Sequence, residues 1–255
     1  MSKGQKEFIH SYKKEKLFIH IIQIFLILFF FGLWQVLSDT HMINSFIFSS
    51  PKKVLEEVWK LIIQHQLWNH VFVTLYETII AFLVSIFISF LLSILLYLFP
   101  FFNRVMDPFL TCMNSLPKVA LGPMVIIVCG ANQKSIIVMA ILISVIICTT
   151  VITNGFYQTS PIKLLLMTSL KASKIQTLKY LVIPNSRSSI VSALKLGISM
   201  SMIGVISGEF LVSKEGLGYL IIYGTQIFNM NLVIGGILLL VIISYGMYFI
   251  VKKIR

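Results

Sequence analysis

Six apolar runs, each about twenty residues long, divide this chain, and they constrain its fold more than any other feature. They cover Leu17 to Leu37, Thr78 to Leu98, Asp107 to Gly130, Ser135 to Ile152, Ser189 to Val212 and Leu232 to Val251. About 20 residues of α-helix cross the roughly 30 Å of hydrocarbon in a bilayer, where each backbone polar group needs a partner inside its own segment. At 57% hydrophobic and 12% charged residues, with a mean hydropathy of +0.93, a soluble domain is excluded. The expected fold is an all-α polytopic membrane protein with six transmembrane helices.

Charge orients the spans. Fourteen of the 21 Lys and Arg residues fall on one side: five at the N-terminus, Arg104, five around residues 163–187 and three in the C-terminal tail. The opposite loops hold five: Lys52, Lys53, Lys60, Lys134 and Lys214. The positive-inside rule places the first side, and both termini, in the cytoplasm. Residues 1–16 read as a basic cytoplasmic tail and 17–255 as the membrane domain. The first run is longer than a secretion-signal core and no small-residue cleavage site follows, so it reads as an uncleaved span with Trp34 as an interfacial anchor. The net charge of +12 sits at helix ends rather than in a patch interleaved with aromatics, which argues against a nucleic-acid partner.

Two stretches between runs carry helix punctuation. On the outer side, Ser50-Pro51 opens KKVLEEVWKLIIQHQ, whose apolar residues recur at helical spacing. It predicts a short amphipathic helix, either on the membrane surface or packed on the rest of the domain. On the inner side, Pro161 to Pro184 predicts two helices and a turn. Ser160 can cap the first helix, with Pro161 at N1, and Ser173 with Gln176 has capping-box spacing for a second helix from Lys174 toward Pro184.

This inner stretch resembles the cytoplasmic loop of permease subunits of bacterial ATP-binding-cassette importers, described as Glu-Ala-Ala, three residues, Gly, nine residues, Ile-x-Leu-Pro. Leu181, Ile183 and Pro184 match its end, and KASKIQTL is similar to the GASRWQTF version of one branch. Lys171 stands at the glycine and Leu165, Leu166, Met167 at the acidic-Ala-Ala triplet, so that half departs. Three other stretches resemble the nitrate, sulfonate and taurine branch: SPxxVLxxxW from Ser50 to Trp59, LPKVALGPMVIIVCG, and an acidic Glu209 followed by Gly216-Leu217-Gly218-Tyr219.

The resemblance implies a type I importer-like permease in the bacterial inner membrane, pairing as a homodimer. A cytoplasmic ATPase dimer would use the ATP, and an external binding protein would deliver a small anion such as a sulfonate, taurine, nitrate or bicarbonate. Residues 154–187 would be the coupling loop. Leu170, Lys171, Ala172, Ser173, Ile175 and Gln176 would dock the ATPase, and Leu181, Ile183 and Pro184 would tie the loop to the fifth span. A stand-alone secondary transporter or channel, or an importer of a vitamin precursor such as a thiamine pyrimidine, are the alternatives.

Ionisable residues at membrane depth mark pathways or paired sites. Lys118 lies between Pro117 and Pro123, which bend the third span. It lines the substrate path and attracts an anion, or it pairs with Glu209 or with freed carbonyls. Lys195 snorkels to the inner surface. Glu209 serves an outer gate or is a hydrogen-bonded acid at the bilayer surface, and Glu77 is interfacial. The sequence offers no catalytic constellation. It contains no GxxxxGK[ST] loop, its five histidines lack ligand spacing, and Cys112, Cys129 and Cys148 read as small core residues. No cofactor, metal site or catalytic residue is expected in this chain.

Overall fold

A computed structural model describes residues 3–253, with the side chains of residues 3–9, 11 and 13 left out. The basic-tail residue Arg255 lies outside the described residues, as do the side chains of Lys3, Lys6 and Lys13. The helices are α1 (Lys3–Asp39), α2 (Ser45–Phe48), α3 (Pro51–Ile63), α4 (Gln66–Leu98), α5 (Pro100–Ser115), α6 (Gly122–Cys129), α7 (Gln133–Tyr157), α8 (Pro161–Ser169), α9 (Lys174–Thr177), α10 (Ile183–Asn185), α11 (Arg187–Val212), α12 (Leu217–Gln226) and α13 (Met230–Lys252). A 3₁₀ turn (Lys118–Leu121) precedes α6 and a π turn (Leu178–Val182) joins α9 to α10. Among the described residues five helices are long and apolar enough to cross a membrane, and α5 with the 3₁₀ turn and α6, bent by 97°, makes a sixth if the pair is one broken span.

The centre is the triple contact of α4, α7 and α11. Lipid tails are as apolar as leucine, so helices in a membrane associate through close backbone approach and interhelical hydrogen bonds. The sequence meets both needs. On α4, Ser85, Ser89 and Ser93 recur every fourth residue, fully buried. Their hydroxyls donate to Ser144 Oγ at 3.0 Å, Val145 O at 3.1 Å and Thr149 O at 3.2 Å on α7. On α11, Gly204 lies against Ala140 so closely that an added Cβ would sit 2.5 Å from its Cα. This spacing of small residues joins the three spans, and no feature predicted from hydropathy pointed to it. A second core packs α12 and α13 against α3, α4 and α11 around Leu217, Leu220 and Leu232.

Several boundaries differ from expectation. The first span is continuous with a helix from Lys3, so the basic segment is helical from that residue. Its apolar part, Lys14–Asp39, has no buried stretch. The second span begins at Gln66, twelve residues earlier than its hydropathy suggests. The loop expected around Arg104 is helical, because α5 starts at Pro100 straight after Phe99, and Pro108 lies inside that helix and not at its start. The break falls at Leu116-Pro117, where Leu116 is extended ahead of the proline. The segment after Val212, expected as an outer loop, is largely helix α12, with Leu217, Gly218, Leu220, Ile221 and Gly224 buried.

The amphipathic helix α3 forms as predicted, with Ser50 Oγ accepting from Lys53 N and Pro51 at N1. One face of it packs on the bundle. Val54 and Val58 pack at Gly235 of α13, whereas Leu55 and Trp59 are exposed. Of the cysteines, Cys148 alone is fully buried, Cys129 is half-buried and Cys112 is exposed.

Candidate functional site

The basic end of the bundle carries the helix pair. Helix α8 starts with Pro161 at N1, although the Ser160 side chain makes no cap; its carbonyl accepts from Leu164 N at 3.2 Å. At its other end Ala172 N donates to Met167 O at 3.0 Å and Lys171 N to Thr168 O at 2.9 Å. These bonds form a Schellman closure with Lys171 at the left-handed position, φ +54°. A glycine is the usual occupant, and a lysine there costs about 1–2 kcal/mol. The chain enters α9 at once through the capping box: Gln176 N donates to Ser173 Oγ at 3.2 Å and Ser173 N to Gln176 Oε1 at 2.7 Å.

Pro184 then shapes the exit. It cannot donate an N–H, and its ring would clash with the carbonyl four residues back in an α-helix. The π turn before it widens the backbone, with Ile183 N bonding Leu178 O. That turn puts Leu178 and Val182, four residues apart, into a core with Ile152, Phe156 and Ala193. Ile183 packs beside them, Leu181 is half-buried and Pro184 is exposed. The pair is therefore anchored to α7 and α11 by Leu178 and Val182, with Ile183 of the expected set Leu181, Ile183 and Pro184 packed beside them. Ser186 Oγ adds a bond to Gly155 O at 2.8 Å.

The far side of the pair has no cover. Ile162, Leu165, Leu166, Leu170 and Ile175 are each at least 60% exposed. Lys171, Ser173 and Gln176 are exposed beside them and Ala172 is half-buried. A rigidly anchored helix pair thus presents an apolar face rimmed by Lys171, Lys174 and Lys179 at the basic end of the bundle.

At the opposite end, Glu209 is 1% exposed near the end of α11. Its Oε1 accepts from Thr74 Oγ1 at 2.6 Å and its Oε2 from Gly218 N at 2.5 Å. Thr74 Oγ1 in turn accepts from Leu217 N at 2.8 Å, and His70 Nδ1 from Gly216 N at 3.0 Å. One carboxylate and two α4 side chains therefore satisfy the first N–H groups of α12 and hold it to α4 and α11. Both glycines are required by space. A Cβ on Gly216, at φ +104°, would lie 2.3 Å from Glu209 Oε1, and one on Gly218 2.7 Å from Oε2. Glu77, expected at an interface, is 1% exposed and lies beside Glu209 and Gln133. Its Oε2 has no hydrogen-bond partner among the described residues.

Between these ends stands the broken span. Lys118 Nζ donates to Asn114 O at 2.9 Å, a carbonyl left free where α5 ends, and Asn114 Nδ2 donates to Thr150 Oγ1 of α7 at 3.1 Å. Lys118 is half-buried and Pro117 is exposed. Glu209, by contrast, is wholly engaged with α4 and α12. Among the described residues no cluster of three His, Cys, Asp or Glu side chains could hold a metal.

Comparison with known proteins adds the family. The family described as binding-protein-dependent transport system inner membrane component matches residues 85–254. The chain is 28% identical to a probable ABC transporter permease protein of Haemophilus influenzae, covering 85% of this chain and 88% of the relative. It is 20% identical to the taurine transport system permease protein of Escherichia coli (83% and 79% covered) and 28% identical to the riboflavin transport system permease protein of Chloroflexus aurantiacus (84% and 80%). Among solved structures, an inward-facing MetNI methionine ABC transporter chain superposes with a TM-score of 0.66 at 17% identity, over 75% of this chain and 95% of that one.

Proposed function

Because the chain belongs to the family of binding-protein-dependent transport system inner membrane components and is an ABC importer permease subunit working with ATPase and binding-protein partners, we propose that its uncovered helix pair is the surface that receives the ATPase. The observation that carries this reading is a pair of helices closed by their own caps, anchored by Leu178 and Val182, and apolar on the side that nothing covers. A short helix seated in a groove of the ATPase transmits closure of that subunit as rigid-body motion of α7 and α11, the spans to which it is fixed. Leu170 and Ile175 enter the groove, with Ala172, Ser173 and Gln176 at the turn and Lys171 beside it.

The basic end faces the cytoplasm, with both termini, in the bacterial inner membrane. Two copies pair as a homodimer, and the chain itself binds no nucleotide and catalyses no reaction. ATP is consumed by the partner, and the external binding protein docks at the end that carries α3 and α12. The solute is a small anion, a reading supported by the taurine permease among the relatives and by Lys118 at the break of the third span. The riboflavin permease, more nearly identical to this chain, favours a second reading in which the solute is a vitamin or its precursor.

The test is co-purification of the tagged chain with its ATPase, comparing wild type with Leu170→Glu/Ile175→Glu. Both residues are exposed, so the variant inserts and folds. The reading predicts loss of the ATPase from the variant alone; retention of the ATPase would refute it.

A further inference from the structure

Two cavities lie at the end of the bundle away from the basic loop, and the transport reading assigns no ligand to either. The first, about 460 Å³, is a wholly apolar groove between α1 and α13, lined among others by Phe30, Trp34, Leu37, Phe48, Ile234 and Leu238. The second, about 520 Å³, is of mixed character, lined by Ser45, Lys53, Asn229 and Asn231 and by four apolar residues, Phe46 and Phe228 among them. One face of α13 runs from one into the other. Asn231 belongs to the polar cavity, Ile234 and Leu238 to the groove, at helical positions i, i+3 and i+7. The four-residue α2 also serves both, with Ser45 and Phe46 on the polar side and Phe48 on the apolar one. It is held in place by Trp34 Nε1, which donates to Phe48 O at 3.2 Å, and by Ser49 Oγ, which donates to Asn231 Oδ1 at 2.5 Å.

We propose that this site binds a glycerophospholipid, with an acyl chain in the groove between α1 and α13 and the phosphate at Lys53. The surroundings argue for that occupant. The most apolar window of α1 holds no fully buried residue, so the groove opens between two spans onto hydrocarbon, where the molecules that fill such a gap are acyl chains. The polar cavity stands where that chain's headgroup must leave the hydrocarbon. Its cation is Lys53, whose Nζ donates one hydrogen to Ser45 Oγ at 3.1 Å and keeps two for a phosphate. Glu57 does not compete for it, since its carboxylate accepts from Asn229 Nδ2 at 2.8 Å and from Lys60 Nζ at 3.4 Å. A bound chain fills the gap between α1 and α13 and fixes α1 to the bundle.

The test uses the full chain in nanodiscs of phosphatidylcholine containing a phosphatidylglycerol with a photoactivatable group on its acyl chain, read by residue-resolved mass spectrometry. Wild type is expected to label at Ile234, Leu238 and Phe48 several-fold above Phe87, a lipid-facing control on α4. Leu238→Trp, which fills the groove, removes that labelling and leaves Phe87 unchanged. Lys53→Ala lowers it several-fold and Lys53→Arg restores it. Labelling at Ile234 and Leu238 no greater than at Phe87 means annular lipid only and overturns the proposal. Labelling indifferent to Leu238→Trp or to Lys53→Ala overturns the seat of the chain or of the phosphate, and the site with it.

Discussion

The two ends of this bundle organise short helices by opposite means. At the basic end, α8 and α9 are shaped by bonds that span three to five residues: the Schellman closure at Lys171 and the capping box at Ser173. At the other end, α12 is held by groups from two other helices, Glu209 across nine residues and His70 and Thr74 across more than 140. The first construction keeps its shape with one side uncovered, which suits a surface that must be offered to a partner. The second exists only when α4, α11 and α12 are already together, which suits a structural joint. Local bonding leaves a face free; long-range bonding consumes it.

The largest expected effect attacks the joint. Gly216→Val places a β-branched side chain at φ +104° and drives its Cβ into the Glu209 carboxylate, so α12 must leave its seat. Little monodisperse protein is expected after detergent extraction, measured by size-exclusion chromatography of a fluorescent fusion. A normal elution peak would show that α12 does not depend on the joint.

Glu209→Ala is the next in size. It leaves the Gly218 N–H buried without an acceptor and Thr74 without its partner, a loss of about 3 kcal/mol for a buried network cut on one side. Thermal unfolding in detergent is expected to fall clearly. With Thr74→Val, a double-mutant cycle is expected to show coupling of about 1 kcal/mol or more, as for residues in one network. Additive losses would mean that the two groups act separately.

The helix pair is expected to show the reverse profile. Leu170→Glu/Ile175→Glu changes two exposed side chains whose helix caps are elsewhere, so thermal stability stays within about 0.5 kcal/mol of wild type, while ATP-driven uptake into proteoliposomes is lost. A joint drop in stability and uptake would place this face inside the fold and erase the contrast between the ends.

The same contrast explains what could be read in advance. Ser173 and Gln176 sit three residues apart and Pro161 opens a helix, so residue type and spacing were enough to predict α8, the turn and α9. The spans were legible from length and hydropathy, because the bilayer imposes both. The joint was not. Glu77 was expected at an interface and Glu209 at an outer gate or as a hydrogen-bonded acid, and neither their neighbours nor their spacing encode the approach of α4 to α11 that buries both. The segment carrying Gly216 and Gly218 read as a loop because glycines and a lysine interrupt its start; those glycines exist to admit the carboxylate. The serines of α4 were hidden for a related reason. Their four-residue repeat means little until α7 supplies the carbonyls they reach.

Lys171 gives the smallest and most discriminating effect, since it is the one place where the locally built end departs from its own chemistry. Its φ of +54° is a conformation that costs a lysine about 1–2 kcal/mol and a glycine almost nothing. A glycine also enlarges the conformational freedom of the unfolded chain, which offsets about 0.4–1 kcal/mol of that gain. Lys171→Gly is therefore expected to stabilise by about 0.5–1 kcal/mol, seen as slower amide exchange at Lys171 and Ala172, whose N–H groups close the Schellman motif, with global unfolding nearly unchanged. The exposed ammonium touches none of the anchoring core, so ATPase association tells the rest. If association survives the substitution, the lysine is tolerated by a turn whose geometry is the same as a glycine's. If association falls while the turn grows more protected, the positive charge at the rim is a contact in its own right, and the partner ATPase carries an acidic group opposite position 171.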